Sequence, residues 1–475
     1  MLHNDKKTIC ALASGAGNGA IAVLRLSGSE TEKIIKSLCP GLQNKKLESH
    51  RVYLTKAKNA AGETVDEVLV TFFQTNKSYT GEMSAEISCH GSSYIVKSLL
   101  SELVRLGARQ AERGEFTFRA FMNDRIDLVQ AEAVLSVIES QSEGALRVAL
   151  RQLDGQVSKD FLFMESELIW CLAHIEASID FSTEGLDVVD NQVLIKKLEK
   201  IAVDLKKKIQ SFKSGQILKD GLKVSLLGQP NVGKSSLLNQ LVQHEKAIVT
   251  DIPGTTRDIV EASAIYNGVK VIFSDTAGLR ETSDVVEKIG VEKSEKEALL
   301  SDVCLFVFDV NQGLGAKEKE LIAKAKSTAK SAQIYFIANK WDCVAPEEKA
   351  HKAEETRKKL QTFMDLQEPI DQEKVLFVSA LDSGCRDQLL QLLTADVAEK
   401  GFLQESILSS VRQVEMSEEA YNLVCNCIEE LKADLGSEFI AQTLKNALLS
   451  IQKILGHSFD DQIMDRVFKE FCIGK

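Results

Sequence analysis

The chain has 475 residues, 44% of them apolar, and a formal net charge of −11. That length supports about three domains with proper cores, and no apolar run reaches membrane-spanning length. The acidity argues against a protein that grips nucleic acid non-specifically by itself. The early apolar stretch Ile9-Cys10-Ala11-Leu12-Ala13 follows Lys6-Lys7 but breaks at Ser14-Gly15, too soon for a signal peptide. Ten cysteines are scattered without a C-x-x-C pair, which fits a reducing cytoplasm. Cys425 and Cys427 stand two apart on an expected helix, so they face different directions.

Residues 1 to about 120 predict a compact α+β unit. Ala20–Ser27 reads as a strand with Arg25 near its end, Arg51–Lys56 and Glu67–Phe73 as two more, and Ala85–Cys89 alternates with period two. Apolar positions 95, 96, 99, 100 and 103 predict a helix over Tyr94–Leu106. Tyr79-Thr80-Gly81-Glu82 reads as a turn. A long helical pattern runs from Ile126 to Phe181, and a second follows Asp190 with Leu194, Leu198, Ile201, Leu205, Ile209 and Phe212 on one stripe. Such stripes are core, and Glu165, Glu167 and Glu176 read most simply as solvated faces.

Residues 216 to about 385 alternate strand and helix, as an open, mostly parallel sheet requires. The strand Val224–Leu227 runs into Gly228-Gln229-Pro230-Asn231-Val232-Gly233-Lys234-Ser235, which satisfies G-x-x-x-x-G-K-[ST]. The glycines let the backbone wrap so that several N–H groups converge on one anion, and the helix starting near Lys234 adds its positive end. Lys234 reaches the β- and γ-phosphates, with the Ser235 hydroxyl on magnesium and Ser236 beside it. Downstream, Thr250-Asp251-Ile252-Pro253-Gly254-Thr255-Thr256-Arg257-Asp258 supplies a hydroxyl for magnesium when triphosphate is present. The strand Val271–Ser274 ends at Asp275-Thr276-Ala277-Gly278, facing magnesium through water and the γ-phosphate through the Gly278 N–H. Ile334–Ala338 leads into Asn339-Lys340-Trp341-Asp342, whose carboxylate accepts guanine N1–H and the 2-amino group, and Val378-Ser379-Ala380 closes the base pocket. Five motifs in this order predict a GTPase. Leu279 stands where Ras-type enzymes carry a water-positioning glutamine. Glu287 is the candidate to orient water, the alternative being a plain surface carboxylate. Arg257, Arg280 or a monovalent ion beside Asn231 are candidates for the compensating cation.

Past Gly401 the pattern is helical again, with Leu444, Leu448, Ile451, Ile454 and Leu455 on one stripe and a last helix over Asp460–Phe471. Cys472-Ile473-Gly474-Lys475 closes the sequence, either as a frayed end or as a catalytic thiol beside a lysine.

The whole resembles the MnmE (TrmE) family of tRNA wobble-uridine GTPases. The resemblance rests on Ala22-Val23-Leu24-Arg25-Leu26-Ser27-Gly28, the Tyr79–Glu82 turn, Arg119-Ala120-Phe121-Met122-Asn123-Asp124-Arg125-Ile126-Asp127-Leu128-Val129-Gln130-Ala131-Glu132-Ala133, the GTPase motifs and the Cys472–Lys475 ending. It implies a multidomain α/β and α protein. A folate-binding-like, dimerising α+β domain would span 1–120, a discontinuous helical domain 121–215 and 386–475, and an inserted Ras-like P-loop GTPase domain 216–385. Arg25, Glu82, Arg125 and Lys475 would bind 5-formyl- or methylene-tetrahydrofolate, with arginine at 125 where many members carry lysine. Potassium would sit at Asn231, Thr250, Ile252 and Thr255, and magnesium at Ser235 and Thr256. Glu287 and Cys472 would join Lys234 as catalytic residues. A homodimer would work with the flavoprotein MnmG, which brings FAD and NADH, on tRNA in the cytoplasm, away from membranes. The rival reading is a ribosome-assembly GTPase acting as an RNA-binding switch, which would want a basic module that this chain lacks.

Overall fold

A computed structural model describes residues 6–15, 17–180, 190–242, 262–274, 301–328, 332–364, 370–382, 384–403, 406–458 and 467–475. The chain divides into two compact units: Met1–Ile138, Arg151–Ile209 and Val411–Lys475 form one, Glu139–Leu150 and Gln210–Ser410 the other.

The first unit opens with β1 (Ile9–Leu12), β2 (Ile21–Ser27), α1 (Thr31–Leu38), β3 (Arg51–Lys58), β4 (Thr64–Phe73), β5 (Ser84–His90), α2 (Ser93–Arg105) and β6 (Arg109–Gln110). The strands pair in the order β3-β4-β5-β2-β1-β6, all antiparallel except β1 with β6. Period two sorts β2 cleanly. Ala22, Leu24 and Leu26 join Ile34, Ile35, Leu38, Leu99 and Leu103 in the core, each fully buried leucine or isoleucine contributing ~1.5–3 kcal/mol. Ile21, Val23 and Arg25 alternate with them onto the opposite face of the sheet. The stretch weighed above as a failed signal peptide is β1, a strand of this sheet, and α1 is a helix that sequence reading omitted.

The expected 126–181 pattern resolves into α4 (Leu128–Glu139), α5 (Glu143–Leu153) and α6 (Gln156–Asp180), preceded by α3 (Glu115–Met122) and followed by α7 (Asn191–Asp220). The solvated-face expectation is overturned for Glu165, which is buried with both oxygens 3.1 Å from His457 Nδ1. Glu167 is half-buried and paired to Lys197, while Glu176 is exposed, as expected, and paired to Lys445.

The second unit holds β7 (Leu222–Leu227), α8 (Lys234–Val242), β8 (Ala262–Tyr266), β9 (Val269–Ser274), β10 (Val303–Asp309), α9 (Ala316–Thr328), β11 (Gln333–Asn339), α10 (Lys349–Phe363), β12 (Val375–Phe377) and α11 (Gly384–Leu403). The sheet order is β12-β11-β10-β7-β9-β8, parallel apart from the β8–β9 hairpin. All seven residues of β10 are buried, as a central parallel strand covered on both faces must be.

The first unit is completed by α12 (Val411–Lys432) and α13 (Ser437–Leu455), with Phe468 and Phe471 packed against Phe121, Leu128 and Ala131. Cys427 is buried on α12 while Cys425 is half-exposed, and all ten cysteines are free. Of the last expected helix, residues 460–466 lie outside the described residues. Arg412 braces this part. Its Nε donates to Glu132 (2.7 Å), and its Nη atoms cap the carbonyls of Lys453 (2.8 Å) and Ile454 (3.2 Å) at the end of α13. Arg412→Leu would leave Glu132 and those carbonyls short of a partner, so we expect a loss of ~3–5 kcal/mol in urea unfolding. The Arg412→Leu/Glu132→Leu double variant is expected to recover only part of that loss, because the two carbonyls stay unpaired and the buried Gln413 amide, which donates to Glu132 at 2.7 Å, loses its partner.

Candidate functional site

Four segments leave the carboxyl edge of the second unit's sheet. They are the Gly228–Ser235 turn after β7, Asp309 at the end of β10, Asn339–Asp342 after β11 and Ser379-Ala380 after β12. In an open parallel sheet ligands bind at this edge where strand order reverses, and β7, flanked by β9 and β10, is that point.

The turn is a cradle with no room for side chains on its inner wall. Gly233 has φ +97°, and a Cβ there would stand 2.2 Å from Asn339 Nδ2. Asn231 also adopts a left-handed φ of +61°. Val232 is buried, while Ser235 and Ser236 are exposed at the head of α8, where the first-turn N–H groups have no partner within the helix. Lys234 Nζ donates to the carbonyls of Gly228 (2.8 Å) and Gln229 (2.7 Å), so the ammonium lies over its own loop.

Asn339, 1% exposed, ties this cradle to the base site. Its Nδ2 donates to Val232 O (2.8 Å) and its Oδ1 accepts from the Ala380 N–H (3.0 Å). Lys340, at φ +64°, reaches the carbonyl of Asn231 (3.2 Å) and Asp309 (2.8 Å). Burial pushes the Asp309 carboxyl up, but the bond from Lys340 and the Asn311 N–H together hold it below the usual carboxylate range. Sequence reading missed Asp309; its signal was a lone carboxylate ending an otherwise apolar strand. Asp342 is exposed, and the Ser379 hydroxyl holds its carboxyl below the usual range, ionised and able to accept two donors. The Trp341 ring lies 4.5 Å from Phe377 and steadies the loop.

Oxygen donors suit hard cations. The exposed Ser235 and Asn231 offer such oxygens at the rim of the cradle. Thr250, Asp251, Ile252, Pro253, Gly254, Thr255, Thr256, Arg257, Asp275, Thr276, Ala277, Gly278, Leu279, Arg280 and Glu287 lie outside the described residues.

A second constellation occupies the first unit around the start of α3. Arg25 lies over the rings of Tyr79 (5.6 Å) and Phe116 (5.7 Å), and Glu86 accepts from its Nε and Nη2 (3.0 and 2.8 Å). Glu82 accepts from Ser27 (2.7 Å) and Arg119 (2.9 and 3.2 Å). The Arg125 side chain passes beside Gly81 toward the Asn76 carbonyl. The Cys472–Lys475 segment is docked, which overturns the frayed-end alternative. The Phe116 N–H donates to Lys475 O (3.1 Å), the Gly114 N–H to Cys472 O (3.4 Å), and Ile473 bridges Arg113. Gly474, at φ +94°, presses on β1 so closely that a Cβ would stand 2.0 Å from Leu12 O. Cys472 remains exposed. Thus Arg25, Glu82, Arg125 and Lys475 share one neighbourhood. Arg119 and Glu115 tie it together; the sequence reading had Arg119 only as a motif letter and did not single out Glu115.

A glycine cradle at a helix start, braced to an N-K-x-D loop and a serine–alanine loop on one sheet edge, defines a P-loop protein built for guanine nucleotides. Two family descriptions match, "GTP-binding protein TrmE N-terminus" over residues 8–125 and "MnmE helical domain" over 128–472. The tRNA modification GTPase MnmE of Bdellovibrio bacteriovorus is 47% identical, covering 99% of this chain and 98% of the relative. That of Desulfitobacterium hafniense is 36% identical, covering 98% and 99%. The chain belongs to the MnmE (TrmE) family of tRNA modification GTPases. Among solved structures, Aquifex aeolicus Era bound to GDP and aluminium fluoride is 25% identical over 42% of this chain and 66% of that one, at a TM-score of 0.27, too low to carry an argument.

Asp342→Asn is expected to cut the preference for GTP over xanthosine triphosphate by at least ~100-fold in a fluorescent-nucleotide displacement assay, because the amide repels the donors that the carboxylate accepts. In the first unit, burial pushes Glu115 up, but Arg109, the Glu112 N–H and Arg119 outweigh it and hold the carboxyl below its ordinary value of 4.5. Its stabilisation is therefore full above that pH and lost as pH falls through the lower folded value. Glu115→Gln is expected to lose ~3–5 kcal/mol near neutral pH, and the gap to the native protein should narrow in acid-unfolding curves followed by circular dichroism.

Proposed function

We propose that the chain is a potassium-activated, homodimeric GTPase. With an MnmG-type flavoprotein in a heterotetramer, it would install a carboxymethylaminomethyl or aminomethyl group at C5 of the wobble uridine of certain tRNAs. The supporting observation is the Asn339 brace between the phosphate cradle and the Asp342–Ser379 base site, in a chain similar to tRNA modification GTPases along essentially its full length. That match favours this reading over the ribosome-assembly alternative.

In this reading residues 1–120 form the folate-binding and dimerisation domain, 121–215 with 386–475 the helical domain, and 216–385 the GTPase domain. Lys234 leaves the Gly228 and Gln229 carbonyls to meet the β- and γ-phosphate oxygens, which are better acceptors for an ammonium. Glu287 orients the attacking water in place of the glutamine that Leu279 displaces. The water oxygen bonds to the γ-phosphorus as the bond to the β-phosphate oxygen breaks, leaving GDP and phosphate. Potassium held by Asn231, Thr250, Ile252 and Thr255, and magnesium by Ser235 and Thr256, would supply positive charge beside the phosphates. Arg25, Glu82, Arg125 and Lys475 bind the tetrahydrofolate donor, and Cys472 stands beside it. FAD and NADH belong to the partner. Hydrolysis drives domain movement while the carbon chemistry proceeds elsewhere. The location is cytoplasmic, in keeping with ten free cysteines and with the lack of any membrane-spanning helix among the described residues.

Lys234→Ala and Glu287→Ala are expected to keep folinate binding yet abolish the modified uridine in nucleoside mass spectra. Unchanged modification in both would sink the coupling of GTP turnover to the chemistry. GTP turnover is expected to rise at least ~10-fold when potassium replaces sodium, and equal rates would remove the cation from the mechanism.

A further inference from the structure

Arg119 has no part in the reading above, yet its guanidinium is the centre of the first unit's polar network. It is 7% exposed on α3. Nη1 donates to both oxygens of Glu82, at 2.9 and 3.2 Å, and Nη2 donates to Glu115 (3.0 Å) and the carbonyl of Lys7 (2.9 Å). Glu115 is in turn fixed by Arg109 (2.6 and 3.0 Å) and by the Glu112 N–H (2.8 Å). From β2, the Ser27 hydroxyl donates to Glu82 Oε2 at 2.7 Å, and Ser27 is itself hydrogen-bonded to Thr80 at 2.7 Å. Glu82 is thereby gripped by donors from two separate elements while its side chain stays 27% exposed. A carboxylate offers about four acceptor positions, and Ser27 and Arg119 fill two on Oε2 and one on Oε1, which leaves one on Oε1 for a ligand. A planar guanidinium can hold Glu82 and Glu115 in one plane, and a lysine ammonium, a point donor, cannot.

We propose that Arg119 is a positioning residue for the one-carbon donor. It fixes the plane of the Glu82 carboxylate so that the position left open on Oε1 meets the 2-amino donor of a 2-aminopyrimidinone ring and discriminates against rings that lack it. The inference rests on Glu82 being a ligand of the tetrahydrofolate donor. Arg119 touches no ligand itself and acts through Glu82. The same logic explains why a charge is buried here at all: its desolvation is offset by four acceptor atoms, three of them oxygens of two carboxylates and one a carbonyl.

The test is equilibrium dialysis of the full chain with folinate and with a 2-desamino-2-methyl folate analogue. Melting temperature and GTP turnover serve as checks of folding. The native protein is expected to prefer folinate by at least ~100-fold. In Arg119→Lys that preference is expected to fall to within ~10-fold, because the freed carboxylate no longer presents a fixed donor-matching edge. A folded Arg119→Lys that binds both compounds more weakly but keeps the full preference would overturn the proposal. Glu115→Gln, which loosens Arg119 without removing it, is expected to lower the preference by a smaller factor, and it replaces Arg119→Lys as the deciding variant if that protein does not fold. Glu82→Gln separates the two readings. Retained preference in Glu82→Gln would mean that Glu82 is not the ligand, and the proposal would go with it. Lost preference in Glu82→Gln beside retained preference in Arg119→Lys would reject the role of Arg119 alone.

Discussion

The side-chain amide of Asn339 must satisfy two backbone partners from two loops at once, and it is too deeply buried to turn to water instead. Its nitrogen takes the Val232 carbonyl and its oxygen takes the Ala380 N–H. Leaving either partner unmet would cost ~1–3 kcal/mol, so the planar amide sets the distance between the phosphate cradle and the base loop. Gly233 is the complementary half of the constraint, because any side chain there would collide with that nitrogen. Lys340 repeats the brace at a second level by joining Asn231 of the cradle to Asp309 at the end of β10. Phosphate recognition and base recognition are therefore one rigid piece, positioned by the register of β10 against β7 and β11.

The first unit solves a similar problem with charge. The opening turn of α3 offers its N–H groups to the Cys472–Lys475 segment and its Glu115 side chain to two arginines. Through Arg119 the same turn reaches Glu82, and through the Phe116 ring it reaches Arg25. A single short helix thus sets the positions of residues drawn from the first hundred residues and from the last four.

Sequence reading found the elements wherever side-chain period was strong. β2, β3, β4, β5 and α2 fall within a few residues of expectation, as do β7, α8, β9 and β11. It named neither α1, α3, β8, the central β10, β12 and the short β6 nor the helices α9, α10 and α11, and it took β1 for nothing more than a broken apolar run. Four residues are too short for periodicity to speak; β1 exists because β2 and β6 pair with it. The phosphate turn and the N-K-x-D loop were legible because their chemistry is local, each made by neighbours in sequence. Asp309, Glu115 and Arg119 were not, because their partners lie on other elements and only the fold brings them together. Glu165 misled for the same reason: on its helix it looks like a surface acid, and only His457, nearly three hundred residues away, makes it an interior one.

The docking of Gly474 on the Leu12 carbonyl has a consequence for biosynthesis. The amide groups of Gly114 and Phe116 meet their partners only when a segment some three hundred and fifty residues downstream has been made. The sheet of the first unit can form early, but the turn that carries Glu115 stays half-finished while the whole nucleotide unit is translated and closes on itself. The part of the protein begun first is therefore the part completed last. A nascent chain stalled before Cys472 would carry a finished nucleotide unit and an α3 turn still lacking its partners.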